Sequence, residues 1–402
     1  MYRIGIIGYG YVGKALANRL AKIYPVICYD YDASKVKHHT EQSLLTLTND
    51  SEKLKDCNVY IVTVQTPLNR YNEPDLSYLI NSTRTIAQYL LYGDTIIYES
   101  TVYPGVTEEI CVKLLEKITG LTLNADFYVA YSPERICPGD VEHPIEEISK
   151  VVSGANQTAV QIATDIYSKV TNKKIYVASG IKEAEAVKVL ENLQRDVNIA
   201  LINEFSLVMK KMDIDVFNVL EGAKTKWNFN YYTPGLVGGH CIGIDTHYFI
   251  NIAREKGIEP FLSLEARKIN EKVILNVAKI VASVAKEYEQ ARICIVGITY
   301  KNNCDDIRNS AGLKIASYLK EQEHELLLFD PIAKKERIKE EGFDLCKFED
   351  INNIDIMICL VYHDVFDCYA FSESMFRNKN RISVIDLYGK IKSLSKYNKF
   401  SF

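Results

Sequence analysis

The sequence predicts an α/β protein of two Rossmann-like, doubly wound parallel-sheet lobes joined by a long-helix connector. Three observations carry that expectation. Over residues 1–180, short apolar runs alternate with helix-like segments, as in a parallel sheet covered on both faces. A stretch free of Gly and Pro follows, from Lys182 to about Asp213. From Ala291 the alternation restarts.

RIGIIG, PVICYD, VYIVTV, TIIYES and FYVAYS are the strand candidates of the first lobe, each followed by turn residues. GYGYVG, Gly8 to Gly13, ends the first of them and opens a helix, and Asp30 closes the second. In a dinucleotide fold the first glycine makes the tight turn, the second admits the pyrophosphate and the third packs helix on strand. Helix-terminal amides then hold the phosphates. An acid about 20 residues on bonds the ribose hydroxyls, so Asp30 points to NAD rather than NADP.

In the connector, Val187, Leu190, Val197, Leu201, Val208 and Met212 recur at helical spacing. They predict one helix of roughly 30 residues, against a usual ~11. A second helix is expected from Leu264 to Tyr288. Long helices between two lobes form hinges and pairing surfaces, so a homodimer or higher homo-oligomer is expected. ARICIVGITY, ELLLFD, IMICLV and RISVID are the strands of the second lobe, with a helix through Leu313 to Leu319. The expected division is 1–180, 181–288 and 289–402.

Composition narrows the function. The 402 residues are 47% hydrophobic and 25% charged, as in a soluble globular protein. A net charge of -4 provides no basic footprint for nucleic acid, and no apolar run reaches the ~20 residues that span a bilayer. No signal peptide is read at the N-terminus. Ten cysteines without a CxxC pair suggest reduced thiols in a cytoplasm, not a disulfide framework or structural zinc. Cys28, Cys57, Cys111, Cys294 and Cys359 sit in apolar runs and read as buried hydrophobes.

Cys241 reads differently. It lies in Gly238-Gly239-His240-Cys241-Ile242-Gly243-Ile244-Asp245, where glycines would let a ligand approach and exposed amides would favour the thiolate. A thiolate attacks carbonyls, and Asp245 is placed to move protons or orient water. A buried structural Cys in a glycine turn is the competing reading. His240, Cys241 and His247 crowd together but lack further ligands at zinc spacing, so no metal is expected. Lys188 and Asn192, four apart, share a helix face, with Glu185 and Arg195 extending the polar stripe. That stripe reads equally well as a solvated face or as an oxyanion and water site. Thr101 in STVYPG, and Glu134 and Arg135 in YSPERICPGD, follow strands at the sheet edge where such folds bind ligands. Lys301 and Arg308 in GITYKNNCDDIRNS could meet phosphates. Trp227, the only Trp, reads as a packing residue.

Together, GYGYVG, ESTVYPG, YSPER with PGD, EAxxxKxxEN, GGHCIGID and GITYKxxxxDxRxS resemble the nucleotide-sugar 6-dehydrogenase (UDP-glucose/GDP-mannose dehydrogenase) family over essentially the whole chain. KTKWNF followed by TPGLVGGHCIGID is most similar to its Vi-antigen type branch, which oxidises UDP-N-acetylglucosamine or UDP-N-acetylgalactosamine to the uronic acid. The resemblance implies an NAD lobe, a dimerising centre, a UDP lobe and a UDP-sugar substrate. It implies Cys241 as nucleophile, Lys188 as oxyanion donor, Asn192 and Asp245 as water and proton groups, and Thr101 and Glu134 as their supports. It places Gly8, Gly10, Tyr11, Val12, Gly13, Asp30, Lys35, Thr66, Thr101 and Arg308 at the cofactor. Glu134, Arg135, Lys188, Asn192, Gly239, Lys301 and a partner-directed Arg267 are placed at the substrate. Cys137 stands where relatives often have Asn, Thr246 and His247 replace Pro-Tyr, and Tyr300 replaces Phe. Other readings are a UDP-N-acetylmannosamine or UDP-glucose 6-dehydrogenase, a two-electron 3-hydroxyacid dehydrogenase, and a non-enzymatic nucleotide-sugar sensor.

Overall fold

The computed structural model describes residues 1–36, 44–137, 139–140 and 142–402; Pro138 of the PGD run lies outside them. The chain forms two compact units, Met1–Asn192 with His247–Ile258, and Leu193–Thr246 with Glu259–Phe402.

The first unit begins β1 (Ile4–Ile7), α1 (Tyr11–Leu20), β2 (Val26–Tyr29), α2 (Ala33–Val36), β3 (Leu45–Thr48) and β4 (Val59–Val62). It continues with α3 (Ser77–Ala87), β5 (Thr95–Tyr98), α4 (Lys113–Thr119), β6 (Tyr128–Tyr131), β7 (Val151–Gly154), α5 (Gln157–Tyr167) and β8 (Tyr176–Val177). The sheet order is β3-β2-β1-β4-β5-β6-β7-β8, with β1 central between β2 and β4. Every residue of β1, β4 and β5 is buried, which is why these strands read as unbroken apolar runs. The sheet is parallel except between β6 and β7, so that β7 and β8, parallel to each other, run against the rest. β3, β7 and β8 were not legible, being short and flanked by polar residues.

The long helix α6 spans Ile181–Lys211, close to its expected limits, and Asp213 beyond it takes a left-handed φ of 54°. α7 (Val216–Lys224) is capped by Asp215, whose side chain accepts from Phe217 N. α8 (Ile242–Glu255) starts directly after Cys241, and α9 occupies Phe261–Ala285. α9 begins and ends three residues earlier than the apolar spacing indicated, with Pro260 as its N-cap.

In the second unit β9 (Arg292–Val296), α10 (Ala311–Glu321), β10 (Glu325–Phe329), α11 (Lys335–Glu340), β11 (Ile356–Cys359), β12 (Ser383–Asp386) and β13 (Asn398–Phe400) follow. The all-parallel order is β10-β9-β11-β12-β13. Val273, Val277 and Val281 of α9 join Ile293, Ile295, Ile315 and Leu319 in one core. Gly297 ends β9 at φ 75°, where a Cβ would lie 1.9 Å from Val361 O, so no other residue fits. The doubly wound class holds in both units. Trp227 corrects the sequence reading: it is 92% exposed, beyond the end of α7, and packs on nothing in the core.

Candidate active site

In the first unit the glycine turn has the shape a dinucleotide demands. Gly8 sits at φ 104°, and a Cβ on Gly13 would lie 1.9 Å from Gly8 O, so β1 and α1 can touch only through glycine. A Cβ on Gly10 would meet nothing within 4 Å, leaving that backbone open to a ligand. Tyr11 and Val12 form the first turn of α1. The buried Asp30 accepts from Tyr9 N at 2.8 Å and from Lys35 Nζ at 3.2 Å, so it is fixed against the turn. These residues fit a pyrophosphate and a ribose. Asp30→Ala should raise the Michaelis constant for NAD about tenfold, as expected for losing hydrogen bonds to a charged group. An unchanged constant in steady-state kinetics would remove Asp30 from the ribose.

Thr66 Oγ1 donates to Thr101 O at 2.7 Å, and the Tyr248 hydroxyl donates to Thr66 O, so the segments after β4 and β5 are tied together. Lys188 and Asn192 are both buried, at 8% exposure, which removes the solvated-face reading. Glu185 corrects the expected polar stripe. It is fully buried and accepts from Gly105 N at 2.6 Å and Thr107 N at 2.9 Å, and burial raises its carboxyl to about 6. It anchors the YPG turn that follows Thr101. Arg195 is exposed.

Glu134 Oε1 accepts from Ile136 N, while Oε2 is buried with no hydrogen-bond partner among the described residues. Arg135 is ion-paired with Glu191 at 2.6 Å and donates to Ser149 O at 2.7 Å, so its role inside the chain is to pin its loop. Cys137 is half-buried. A buried group that the sequence did not reveal sits nearby. Glu99, next to Ser100 and Thr101, receives Lys150 Nζ at 3.0 Å and the Tyr167 hydroxyl. Burial raises its carboxyl to about 7, against the pull of Lys150.

In the second unit Cys241 is half-buried and immediately precedes α8; its carbonyl accepts from Ile244 N at 3.0 Å and Asp245 N at 2.8 Å. The nucleophile candidate therefore stands at the positive end of a 14-residue helix, where developing negative charge is favoured. Asp245 lies buried in the first turn, and Thr246 Oγ1 donates to Ile242 O at 3.1 Å. His247 is half-buried.

The flanking glycines have a different cause from the one their spacing indicated. A Cβ on Gly239 (φ 82°) would lie 2.5 Å from the Tyr300 ring, and one on Gly238 2.8 Å from Asn309 O. Gly243 faces the Arg267 guanidinium, whose Nη1 would be 3.2 Å from a Cβ. Gly238 and Gly239 thus admit this chain's own loop 300–309, and Gly243 the Arg267 guanidinium. Asn309 Nδ2 also donates to Gly239 O at 3.2 Å.

Asp306, inside the motif quoted for Lys301 and Arg308, holds that junction together. It is buried and receives Arg308 Nε at 3.0 Å and His240 Nδ1 at 3.3 Å. Burial alone would raise its carboxyl, but hydrogen bonds from His240 and Arg308 hold it well below the usual range. Arg308 thus flanks the Cys241 loop through His240, at 3.3 Å from Nη2. Lys301 Nζ lies 5.9 Å from the centre of the Tyr300 ring.

Arg267 departs most from expectation. Read as reaching a partner subunit, it is buried in its own, with Nη1 2.9 Å from the fully buried Asp196. Asn270 Nδ2 adds a bond to the same carboxylate at 2.7 Å. The physical reason is that Asp196, enclosed on α6, needs a counter-charge. Cys28, Cys57, Cys111, Cys294 and Cys359 are buried, as their apolar neighbours indicated. Among the described residues no cluster of three or more His, Cys, Asp or Glu could hold a metal ion, and no helix is long and apolar enough to cross a membrane.

A dinucleotide turn with its acid, a thiol at a helix start and a second parallel sheet define a class, the nicotinamide-dependent dehydrogenases with two α/β units. Comparison with known proteins specifies it further. The UDP-glucose/GDP-mannose dehydrogenase family matches over all three of its parts, the NAD binding domain at residues 36–171, the central domain at 182–272 and the UDP binding domain at 294–392. The chain is 40% identical over 379 residues to protein CapL of Staphylococcus aureus, covering 90% of this chain and 89% of that one. It is 38% identical over 385 residues to UDP-N-acetyl-D-glucosamine 6-dehydrogenase of Salmonella typhi, covering 90% of each. Among solved structures, the UDP-D-ManNAc dehydrogenase of Pyrococcus horikoshii superposes with a TM-score of 0.84 at 31% identity, covering 96% of this chain and 94% of that one. The chain belongs to the UDP-glucose/GDP-mannose dehydrogenase family and is an NAD-dependent nucleotide-sugar dehydrogenase.

Proposed function

We propose that the protein oxidises the C6 alcohol of a UDP-N-acetylhexosamine, of the GlcNAc or GalNAc type, to the UDP-uronic acid, feeding surface polysaccharide synthesis. The observation that carries this reading is Cys241, half-buried at the start of α8 with Asp245 in the first turn. The 38% identity to a UDP-N-acetyl-D-glucosamine 6-dehydrogenase, against 34% to a UDP-N-acetyl-D-mannosamine dehydrogenase, favours it over the mannosamine substrate.

NAD, when bound at the Gly8–Gly13 turn, supplies the hydride acceptor for each of two oxidations. The chain's own residues do the rest. Lys188 and Asn192 donate to the C6 oxygen as it gains negative charge, and losing one such donor costs roughly 10²–10³ in rate. The Cys241 thiolate adds to the aldehyde carbon, giving a thiohemiacetal that keeps the intermediate from escaping. Loss of the second hydride leaves a thioester. Water oriented by Asp245, with Thr101 and Glu134 in support, hydrolyses it and returns the thiol. The balance is one alcohol, two NAD⁺ and one water to one carboxylate, two NADH and three protons.

In this reading residues 1–180 bind NAD, 181–288 carry the cysteine loop and pair subunits, and 289–402 bind the UDP moiety through Lys301. Arg135 and Gly239 line the substrate, and Arg308 serves the cofactor. Pairing is supported by Leu190, Leu201 and Val208, which are 64%, 59% and 51% exposed on α6 and share one face at spacings of 11 and 7. The free cysteines suit a reducing cytoplasm.

The test counts NADH formed per molecule of limiting UDP-glucose, UDP-N-acetylglucosamine, UDP-N-acetylgalactosamine or UDP-N-acetylmannosamine. Two equivalents with an N-acetylglucosamine or galactosamine donor are expected. One equivalent would revive the two-electron dehydrogenase, and none with any sugar would favour a sensor.

A further inference from the structure

The second unit contains a buried histidine that no step above uses. His363 is fully buried just beyond β11, and its ring bridges two loops. Nδ1 accepts from Asn303 N at 2.9 Å, so in the neutral ring the proton sits on Nε2, which faces Asp330 Oδ2 at 3.0 Å. Asp330, directly after β10, is itself saturated. Oδ2 also accepts from Ile298 N at 2.8 Å and Thr299 N at 3.3 Å, and Oδ1 from Ile332 N at 2.9 Å and Ala333 N at 3.0 Å.

This arrangement repeats the first unit with a changed purpose. Asp30 and Asp330 each close the second strand of a sheet and accept from the glycine turn after the first. In the second unit the acid also orients an imidazole, and the imidazole holds the segment carrying Lys301. Thr299 Oγ1, 3.3 Å from His363 Nε2, donates to Lys301 O at 3.0 Å. Asn303, at a left-handed φ of 54°, donates through Nδ2 to Asp364 Oδ2 at 2.6 Å and accepts Asp364 N at 3.0 Å. Both ends of the 299–303 turn are thus tied to residues 363–364.

We infer that His363, oriented by Asp330, is a positioning residue that shapes the 299–303 turn so that Lys301 meets the diphosphate of the nucleotide sugar. The inference rests on the reading of Lys301 given above. His363 touches no reacting atom and acts only through the turn, so its loss weakens nucleotide binding and leaves the chemical step alone.

Two substitutions separate the two faces of the ring. His363→Gln keeps an amide N–H for Asp330 but presents no acceptor where Nδ1 stood. His363→Asn keeps an acceptor near that position. Titration calorimetry of UDP into the full-length protein, with steady-state kinetics, reads the result. His363→Gln should weaken UDP about tenfold, and raise the Michaelis constant for the UDP-sugar equally, as for one lost, partly buried hydrogen bond. Turnover and NAD affinity should stay within about twofold, and His363→Asn should recover most of the UDP affinity. Unchanged UDP affinity in His363→Gln, or equal losses in both variants, would overturn the inference. Lys301→Met separates the two failures. If it leaves UDP affinity unchanged, the phosphate role falls and the inference with it. If it weakens UDP while His363→Gln does not, only the inference fails.

Discussion

Cys241→Ala is expected to abolish net uronate formation while NAD still binds. The aldehyde has no other covalent anchor in the proposed route, so removing the sulfur stops the reaction after the first hydride transfer. The thiol is half-buried, and what Gly238, Gly239 and Gly243 face is the 300–309 loop and the Arg267 guanidinium. Folding should therefore survive, and fluorescence titration with NADH should show near-native affinity. Steady-state uronate production at the wild-type rate would sink the thioester mechanism and return Cys241 to a structural role.

The largest effect on stability is expected from Arg267→Met. The wild-type guanidinium lies 2.9 Å from Asp196 in a site where both groups are almost fully enclosed. Burial already pushes the Asp196 carboxyl upward, and Arg267 is the main opposing influence. Removing one partner of a buried pair leaves an uncompensated charge and costs roughly 3–5 kcal/mol. The double variant Asp196→Asn/Arg267→Met should recover much of that loss, because no charge is then stranded. Urea unfolding of both variants beside wild type measures both quantities. A single variant as stable as wild type would mean that water reaches Asp196. The pair also lies beneath the cysteine helix, since Gly243 faces the same guanidinium, so uronate production should fall with stability.

Much of the fold was legible because its strands are buried on both faces. RIGIIG, VYIVTV and TIIYES are unbroken apolar runs for the same reason that every residue of β1, β4 and β5 is covered. The glycine turn and Asp30 were legible because a backbone that must touch another backbone admits only glycine, at spacings the chain carries openly. α6 was legible through its length without Gly or Pro, although several of its apolar residues proved exposed. β7 and β8 are short and gain their pairing from long-range contacts, which no local pattern encodes.

The sequence by itself determined the chemistry available: a dinucleotide turn with its acid, a thiol among glycines, and Lys188 and Asn192 on one helix face. Those follow from residue types at fixed spacing, where local backbone geometry and helical period suffice. Tertiary structure alone decided who partners whom. It turned Glu185 inward onto Gly105 and Thr107, put Tyr300 and Asn309 against the glycines of the cysteine loop, and locked Arg267 to Asp196. It also brought His363 between Asp330 and Asn303, some 30 and 60 residues away along the chain. A buried polar group takes whichever partner the packing supplies, and burial is a property of the folded chain, not of the residue.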